Sequence, residues 1–316
     1  MRICVLGAGA LGSALGGVLA EAGADVRLLG RPVHMEAVEQ SGLTLRDGQR
    51  DRKVRLRAHT DPAAVGPVDL VIVLVKSFHT REAVSAAGAL VGPETTVLSL
   101  QNGLGHEDVL AEVFGRDRVI AGKTYVGGVM LAPGHVRVGT RGKETLIGEL
   151  DGTDSARVRG IAAVFEAAGL AVTVSRNILG VIWDKLLVNV ATGALSGITR
   201  LPYGPLYAVP EVEDCAVSAV AEAMAVARAH GVVLATRDAR EAWVKAAEGL
   251  PPEFKTSMLQ SLEKGSATEI DFINGAVVRW GERSGVPTPV NRALVACIKG
   301  IEAGLGGDAA VLGRAA

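Results

Sequence analysis

Cysteine, aromatic residues and net charge are all scarce in this chain, and each scarcity closes off a class of protein. The three cysteines, Cys4, Cys215 and Cys297, stand far apart, with no CxxC spacing and no Cys/His grouping of the kind that holds zinc. They read as reduced, mostly buried thiols. That points to a reducing compartment, the cytoplasm, and to a core that needs no covalent staples. Aromatic residues are 3% of the chain, and 33 basic side chains are balanced by 34 acidic ones. Neither a basic stripe nor a stacking platform is therefore on offer to nucleic acid, and a small molecule is the expected partner. Long apolar runs are missing too. The longest beyond the N-terminus, Leu70–Val75, is strand-sized, against the roughly 20 residues of a membrane helix.

What the chain does have is glycine, and much of it comes early. Met1-Arg2 followed by an uncharged run from Ile3 to Ala20 imitates a secretory signal. Glycines at 7, 9, 12, 16 and 17 argue against a leucine-rich signal core. They fit a turn between a strand and a helix instead. Five apolar runs, Ile3–Leu6, Val26–Leu29, Leu70–Val75, Thr96–Leu100 and Val119–Ala121, read as strands buried on both faces. Helical stretches over 11–22, 80–90 and 107–113 alternate with them, which predicts a doubly wound α/β sheet with right-handed crossovers. The charged, turn-rich stretch 44–58 reads as a strand pair at a sheet edge, and Val136–Val138 and Thr145–Ile147 as antiparallel additions to the sheet. After Ala171–Val174 strand signals stop. From Ile178 the spacing is helical, with Leu179, Ile182, Leu186 and Val190 on one face and Asn177 as N-cap. Further helices are expected over 212–230, 237–247, 255–264, 269–284 and 291–305. At 316 residues the chain suits two domains, with a boundary near Arg176.

The glycines fall into a dinucleotide fingerprint, Gly7-Ala8-Gly9-Ala10-Leu11-Gly12, at the junction of the first strand and helix. Gly7 permits the tight turn, Gly9 lets the backbone approach a pyrophosphate, and Gly12 allows close packing of helix on strand. The helix N-terminus then faces the phosphates. An NAD site expects an acidic residue at the end of the second strand to accept the ribose 2′-hydroxyl; this chain has Leu28-Leu-Gly-Arg31 there. A guanidinium suits a 2′-phosphate, so NADP(H) is the expected cofactor, although a solvated loop arginine reads the same way. Lys76 and Asn102 follow the third and fourth strands, at the carboxyl ends where ligands of open α/β sheets gather. Asn102-Gly103 is also an ordinary turn sequence. The fold class is thus α/β: a Rossmann-like, NADP-binding domain over 1–176, then an all-α substrate-binding and catalytic domain over 177–316.

A hydride donor needs a partner that supplies a proton. No Tyr-x-x-x-Lys occurs, and of the six histidines only His106, beside Glu107, has an acid in a clear strand-end setting, which a capped helix start explains as well. In Ile178-Leu-Gly-Val-Ile-Trp-Asp-Lys-Leu-Leu-Val-Asn-Val190, Lys185 and Asn189 are i, i+4 neighbours at the edge of the apolar face. A lysine desolvated in a cleft would lose proton affinity and serve as a general acid. Taken alone, Lys185 reads better as a surface residue of an amphipathic helix.

Five motifs occur in order: Val5-Leu-Gly-Ala-Gly-Ala-Leu-Gly12, Gln101-Asn-Gly-Leu-Gly105, Trp183-Asp-Lys-Leu-Leu-Val-Asn189, Thr256-Ser-Met-Leu-Gln260 and Thr268-Glu-Ile-Asp-Phe-Ile-Asn-Gly275. Together, over nearly the whole chain, they resemble the ketopantoate reductase (2-dehydropantoate 2-reductase) family. The resemblance implies an NADPH-dependent reductase of a 2-oxoacid, within pantothenate biosynthesis, with Lys185 as proton donor. It implies that Asn102 touches cofactor and substrate, that Arg31 and Lys76 bind the 2′-phosphate side, and that Gly128 makes a backbone contact to cofactor. Asn189 and Ser257 match substrate positions, Ser257 facing the carboxylate, and Glu269 matches an acid that helps hold cofactor and lysine. From the residues alone, Ser266-x-x-Glu269 is also a capping box. Three positions depart from the family pattern: Gly193 and Tyr203 stand where asparagines are usual, and Phe254 where an amide is. The chemistry is expected to persist while the substrate shifts, so a paralogue acting on a more apolar 2-oxo compound is the alternative, with a non-catalytic NADPH-binding regulator a third. The alanine-rich C-terminal helices leave room for a homodimer interface.

Overall fold

The computed structural model describes residues 1–140 and 142–306. Its described residues divide into two compact units, one within 1–101 and 105–178, the other of 102–104 and 179–306.

The first unit runs β1 (Arg2–Leu6), α1 (Ala10–Glu21), β2 (Asp25–Leu29), α2 (Pro32–Ser41), β3 (Leu43–Asp47), β4 (Arg50–Val54), β5 (Arg57–His59), β6 (Val68–Val73), α3 (Thr80–Ala86), β7 (Val91–Ser99), α4 (His106–Phe114), β8 (Val119–Thr124), β9 (Gly127–Ala132), β10 (His135–Gly139), β11 (Glu144–Glu149), α5 (Ala156–Ala167) and β12 (Ala171–Val174). Period-two alternation along β1 sends its side chains to opposite layers. Ile3 and Val5 join a core with Leu15 and Leu19 of α1 and Phe165 of α5, while Cys4 and Leu6 join another with Val84 of α3 and Leu110 of α4. Burial on both faces is why the strand carries no polar residue between Ile3 and Leu6.

The main sheet has the order β12-β11-β8-β7-β6-β1-β2-β5. From β8 to β5 every pairing is parallel. The chain leaves β1 towards β2 on one side and returns to β6 on the other, so the topological switch, and with it the crevice that takes ligands in such sheets, lies at the carboxyl ends of β1 and β6.

Several expectations need correction. The strand pair read within 44–58 does not sit at the edge of the main sheet. β3 and β4 belong to a second sheet, β4-β3-β10-β9, and only β5 joins the first. The reason is apolar alternation: Leu43 and Leu45 of β3, with Val136 and Val138 of β10, bury one face in the core that α1 shares. Val136–Val138 accordingly pairs parallel with β3 and antiparallel with β9, outside the main sheet. Thr145–Ile147 does add to the main sheet, antiparallel to β8. The strand read as ending at Val75 stops at Val73, because the chain bends after the Leu74 amide donates to the Leu6 carbonyl at 2.8 Å.

The second unit holds α6 (Ile178–Thr199), α7 (Tyr203–Tyr207), α8 (Pro210–Ala229), α9 (Ala239–Ala247), α10 (Ser257–Glu263), α11 (Asn274–Ser284) and α12 (Pro289–Gly306). By length and composition α6 could cross a membrane, but 67% of its most apolar window is buried inside the protein. It is the core helix of this unit rather than the one-faced helix its spacing suggested. Trp183 packs edge-on against Trp280 of α11, ring centroids 5.8 Å apart. The helix expected over 269–284 is broken. Ile270–Phe272 forms a single 3-10 turn, Ile273 takes φ −110°, ψ −97°, and α11 starts only at Asn274, so a Ser266–Glu269 capping box opens no helix. Asn274 is buried and donates to Asn291 Oδ1 at 3.0 Å, while Glu222 of α8 accepts from the Val290 and Asn291 amides at 2.8 and 3.0 Å. Those bonds cap α12, whose first residue is Pro289.

Asp184, beside Lys185 on α6, accepts from the Ala235 and Thr236 amides, both at 2.9 Å, and so ties α6 to the loop between α8 and α9. Asp184→Ala leaves two amides without their charged acceptor and should lower stability by about 1–2 kcal/mol, read as a lower urea midpoint with an unchanged slope; an unchanged midpoint would show that water serves the two amides equally well.

Candidate active site

In the first unit the fingerprint loop hangs from the end of β2. The amides of Gly7 and Ala8 both donate to the Leu29 carbonyl at 3.0 Å. Gly7 has φ +100°, and a Cβ there would lie 2.6 Å from the carbonyl carbon of Leu74, so neither the turn nor the close approach to β6 tolerates a side chain. Gly9 is the exposed N-cap of α1, Ala10 and Leu11 are half-buried in its first turn, and Gly12 is buried beneath the turn of Gly7. The first turn of α1 carries no acidic residue, which suits an anion at its positive end.

Around this loop stand the basic residues expected from the sequence. Arg31 is exposed at the N-cap of α2, and its Nη2 lies 3.5 Å from His79 Nε2. Lys76, also exposed, caps the 3-10 turn Ser77–His79, whose His79 amide donates to the Lys76 carbonyl at 2.8 Å. The turn after β6 thus brings Lys76 and Arg31 to the same end of the sheet as Gly7. Gly128 lies on β9 against the opening of α1, where a Cβ would stand 2.7 Å from the Ala10 carbonyl carbon.

Sequence reasoning missed two residues here. Gln101, buried, donates from Nε2 to the Val75 carbonyl at 2.9 Å and to Thr80 Oγ1 at 2.7 Å, which anchors the chain just before Asn102. His79 was missed as well, because nothing in Ser77-Phe-His79 marks it as a neighbour of Arg31.

In the second unit Asn102–Leu104 docks on the turn that follows Glu269. The Leu104 amide donates to the Phe272 carbonyl at 2.9 Å, and the Phe272 amide donates to the Glu269 carbonyl at 3.0 Å. Gly103 has φ +95°, and a Cβ there would sit 2.8 Å from the Cβ of Phe272. The glycine is required by that contact as well as by the turn. Asn102, exposed, and Glu269, half-buried, are thereby held on joined segments.

On α6, Trp183, Leu186, Leu187 and Val190 are buried, while Lys185 and Asn189 are half-buried and stand about 40° apart around the axis. One turn further, a Cβ on Gly193 would meet only the Met258 methyl, at 3.6 Å. Met258 follows Ser257, so α10 presents its first turn to this stretch of α6. Ser257 is exposed at the first position of α10, behind the N-cap Thr256, whose Oγ1 accepts from the Leu259 amide at 3.1 Å.

The departures at 203 and 254 turn out to be neighbours. The rings of Tyr203 and Phe254 lie 5.0 Å apart, and the Tyr203 amide donates to the Phe254 carbonyl at 3.0 Å. Tyr203 is buried, which pushes its phenol up from the ordinary tyrosine range, and its hydroxyl lies 3.2 Å from Thr192 Oγ1. Thr192 is two turns along α6 from Lys185, on nearly the same face. Two departures that look independent in the sequence are therefore in direct contact.

Comparison with known proteins matches these two halves separately. Residues 3–152 match the family model described as ketopantoate reductase PanE/ApbA, and residues 177–302 match its companion, ketopantoate reductase PanE/ApbA C terminal. A 2-dehydropantoate 2-reductase of Halobacterium salinarum is 37% identical over 301 residues, 95% of this chain and 98% of that protein. Among solved structures, a PanE/ApbA family ketopantoate reductase from Ralstonia eutropha JMP134 superposes with a TM-score of 0.89 at 40% identity, covering 97% of this chain and 100% of that one. A D-mandelate dehydrogenase in ternary complex with NADH and anilino(oxo)acetate superposes with a TM-score of 0.88 at 27% identity, covering 97% and 100%. With the glycine loop of the first unit and the Lys185–Asn189 face of the second both inside matched regions, the chain belongs to the ketopantoate reductase family of oxidoreductases.

Proposed function

We propose that the chain is an NADPH-dependent reductase of a 2-oxoacid, with 2-dehydropantoate, reduced to pantoate, as the first substrate to test. The observation that carries the reading is the face of α6 on which Lys185 and Asn189 stand half-buried among buried neighbours, with the start of α10 packed against its next turn. The backbone cradle at Gly7, the acid-free first turn of α1 and the close approach of Gly128 to Ala10 fit a dinucleotide. Gly7, Ala8, Gly9, Ala10, Leu11 and Gly12 would hold the pyrophosphate, and Arg31 and Lys76 the 2′-phosphate.

A nicotinamide cofactor bound there would supply the hydride that the 2-carbon of the substrate takes up. The Lys185 ammonium gives its proton to the carbonyl oxygen, so that ketone becomes alcohol with no free alkoxide. Ser257 hydrogen-bonds the carboxylate, Asn189 orients the substrate beside Lys185, Asn102 contacts substrate and cofactor, and Glu269 helps hold the cofactor and the lysine.

The Tyr203–Phe254 contact favours a second reading, a more apolar 2-oxoacid. An amide wall would pair with substrate hydroxyls, whereas an aromatic one contributes about 0.8 kcal/mol for each methylene it buries. The relationship to a D-mandelate dehydrogenase supports the same direction.

NADPH should bind more tightly than NADH, and Arg31→Ala should remove most of the difference; equal affinities in the unmutated protein would sink the assignment of Arg31. Lys185→Ala should leave cofactor affinity near normal and lower turnover by about 10² to 10⁴, with Lys185→Arg recovering little because guanidinium hardly gives up a proton. Near-normal turnover in either variant would move the proton donor elsewhere. Branched and aromatic 2-oxoacids should be reduced at rates comparable to 2-dehydropantoate, and Gly193→Asn combined with Tyr203→Asn should shift kcat/KM back towards 2-dehydropantoate. A preference of about three orders of magnitude for 2-dehydropantoate in the unmutated enzyme exceeds what a few methylenes supply and would rule out the aromatic pair as the determinant.

A further inference from the structure

Behind the fingerprint loop lies a buried chain of hydrogen bonds with a fixed direction. His34, on α2 and only 8% exposed, accepts at Nδ1 from the amide of Gly134 in the β9–β10 turn, at 2.9 Å. A backbone amide can only donate, so Nδ1 is bare and the ring is neutral with its proton on Nε2. Nε2 lies 2.8 Å from Ser13 Oγ, and that hydroxyl, having accepted from the histidine, has its single proton left for the Ala8 carbonyl, 3.2 Å away. Ser13 is fully buried. Burial also lowers the proton affinity of His34, in keeping with a neutral ring. The partners that face it, Ser13 from α1 and Gly134 from the β9–β10 turn, carry no charge.

The end of this chain is the second residue of the dinucleotide loop. The carbonyl of Ala8 and the amide of Gly9 share one peptide plane, so holding the first sets the direction of the second, which donates to the Gly7 carbonyl at 2.7 Å and closes the turn. The hairpin that supplies Gly134 also supplies Gly128, which packs on Ala10. The loop is therefore braced at Ala8 by hydrogen bonds and at Ala10 by contact.

We infer that His34 is a positioning residue for cofactor binding: through Ser13 it holds the Ala8–Gly9 peptide in the tight turn that gives the dinucleotide loop its shape. The inference rests on the reading that this loop holds NADPH. A histidine that merely fills the core would affect stability alone. A positioning residue changes cofactor affinity at fixed turnover.

The test is NADPH titration by fluorescence, with turnover at saturating NADPH and thermal melting measured on the same proteins. Ser13→Ala should weaken NADPH binding about 10-fold, the order of one to two lost hydrogen bonds, with saturated turnover within about twofold. His34→Phe should do the same or more. His34→Gln, whose terminal amide reaches the place of Nε2 and keeps a donor for Ser13, should recover most of the loss. The double variant should bind no worse than His34→Phe alone, since both cut one chain. If His34→Phe fails to fold, Ser13→Ala and His34→Gln carry the test. Unchanged NADPH affinity in Ser13→Ala, or a loss confined to melting temperature, overturns the inference. Absence of NADPH binding by the unmutated protein would instead overturn the reading of the loop itself.

Discussion

The first unit depends on one carbonyl. Leu29, the last residue of β2, accepts the amides of both Gly7 and Ala8, and this shared acceptor turns the chain from β1 into α1 within three residues. Two donors on one oxygen bring the loop hard against its neighbours, which is why Gly7 has no room for a side chain over Leu74 and why its φ is positive. The same tight turn aims the N-terminus of α1 along the crevice at the switch point. Arg31 and Lys76 reach that crevice only because β2 and β6 flank β1 and end level with it.

The second unit depends on a different constraint, the burial of most of α6. Twenty-two residues with only Asp184 and Lys185 charged would be costly to leave in water, and packing against α10, α11 and α12 lowers that cost. Both charged residues then have to leave the apolar interior sideways. Asp184 turns to the amides of Ala235 and Thr236. Lys185 and Asn189 lie on the strip left half-buried, where a polar head group keeps access to solvent.

Much of this was legible from residues alone. Continuous apolar runs marked the parallel strands because burial on both faces forbids alternation. The glycine fingerprint stood out because its three glycines each meet a separate steric demand. The seven residues from Trp183 to Asn189 marked a helix with a polar edge, though not that it would become the core of its unit. Other features left no local trace. The second sheet pairs Thr44 with His135, and the brace behind the loop joins Gly134 to His34; neither stretch says what it will meet. The break at Ile273 was hidden because its sequence is compatible with helix, and only the docking of Leu104 on Phe272 accounts for the turn there.

The division follows from range. Strand burial, helix periodicity, the turn glycines and the family motifs are set by residues within a few positions of one another, so the sequence by itself determined the α/β class, the helical second half and the residues to suspect. What only the tertiary structure decided are meetings between distant segments: Asn102–Leu104 with the turn after Glu269, Tyr203 with Phe254, His34 with Ser13 and Gly134. Such contacts depend on how layers stack and where loops end, and a side chain carries no record of its partner until the chain has closed around it.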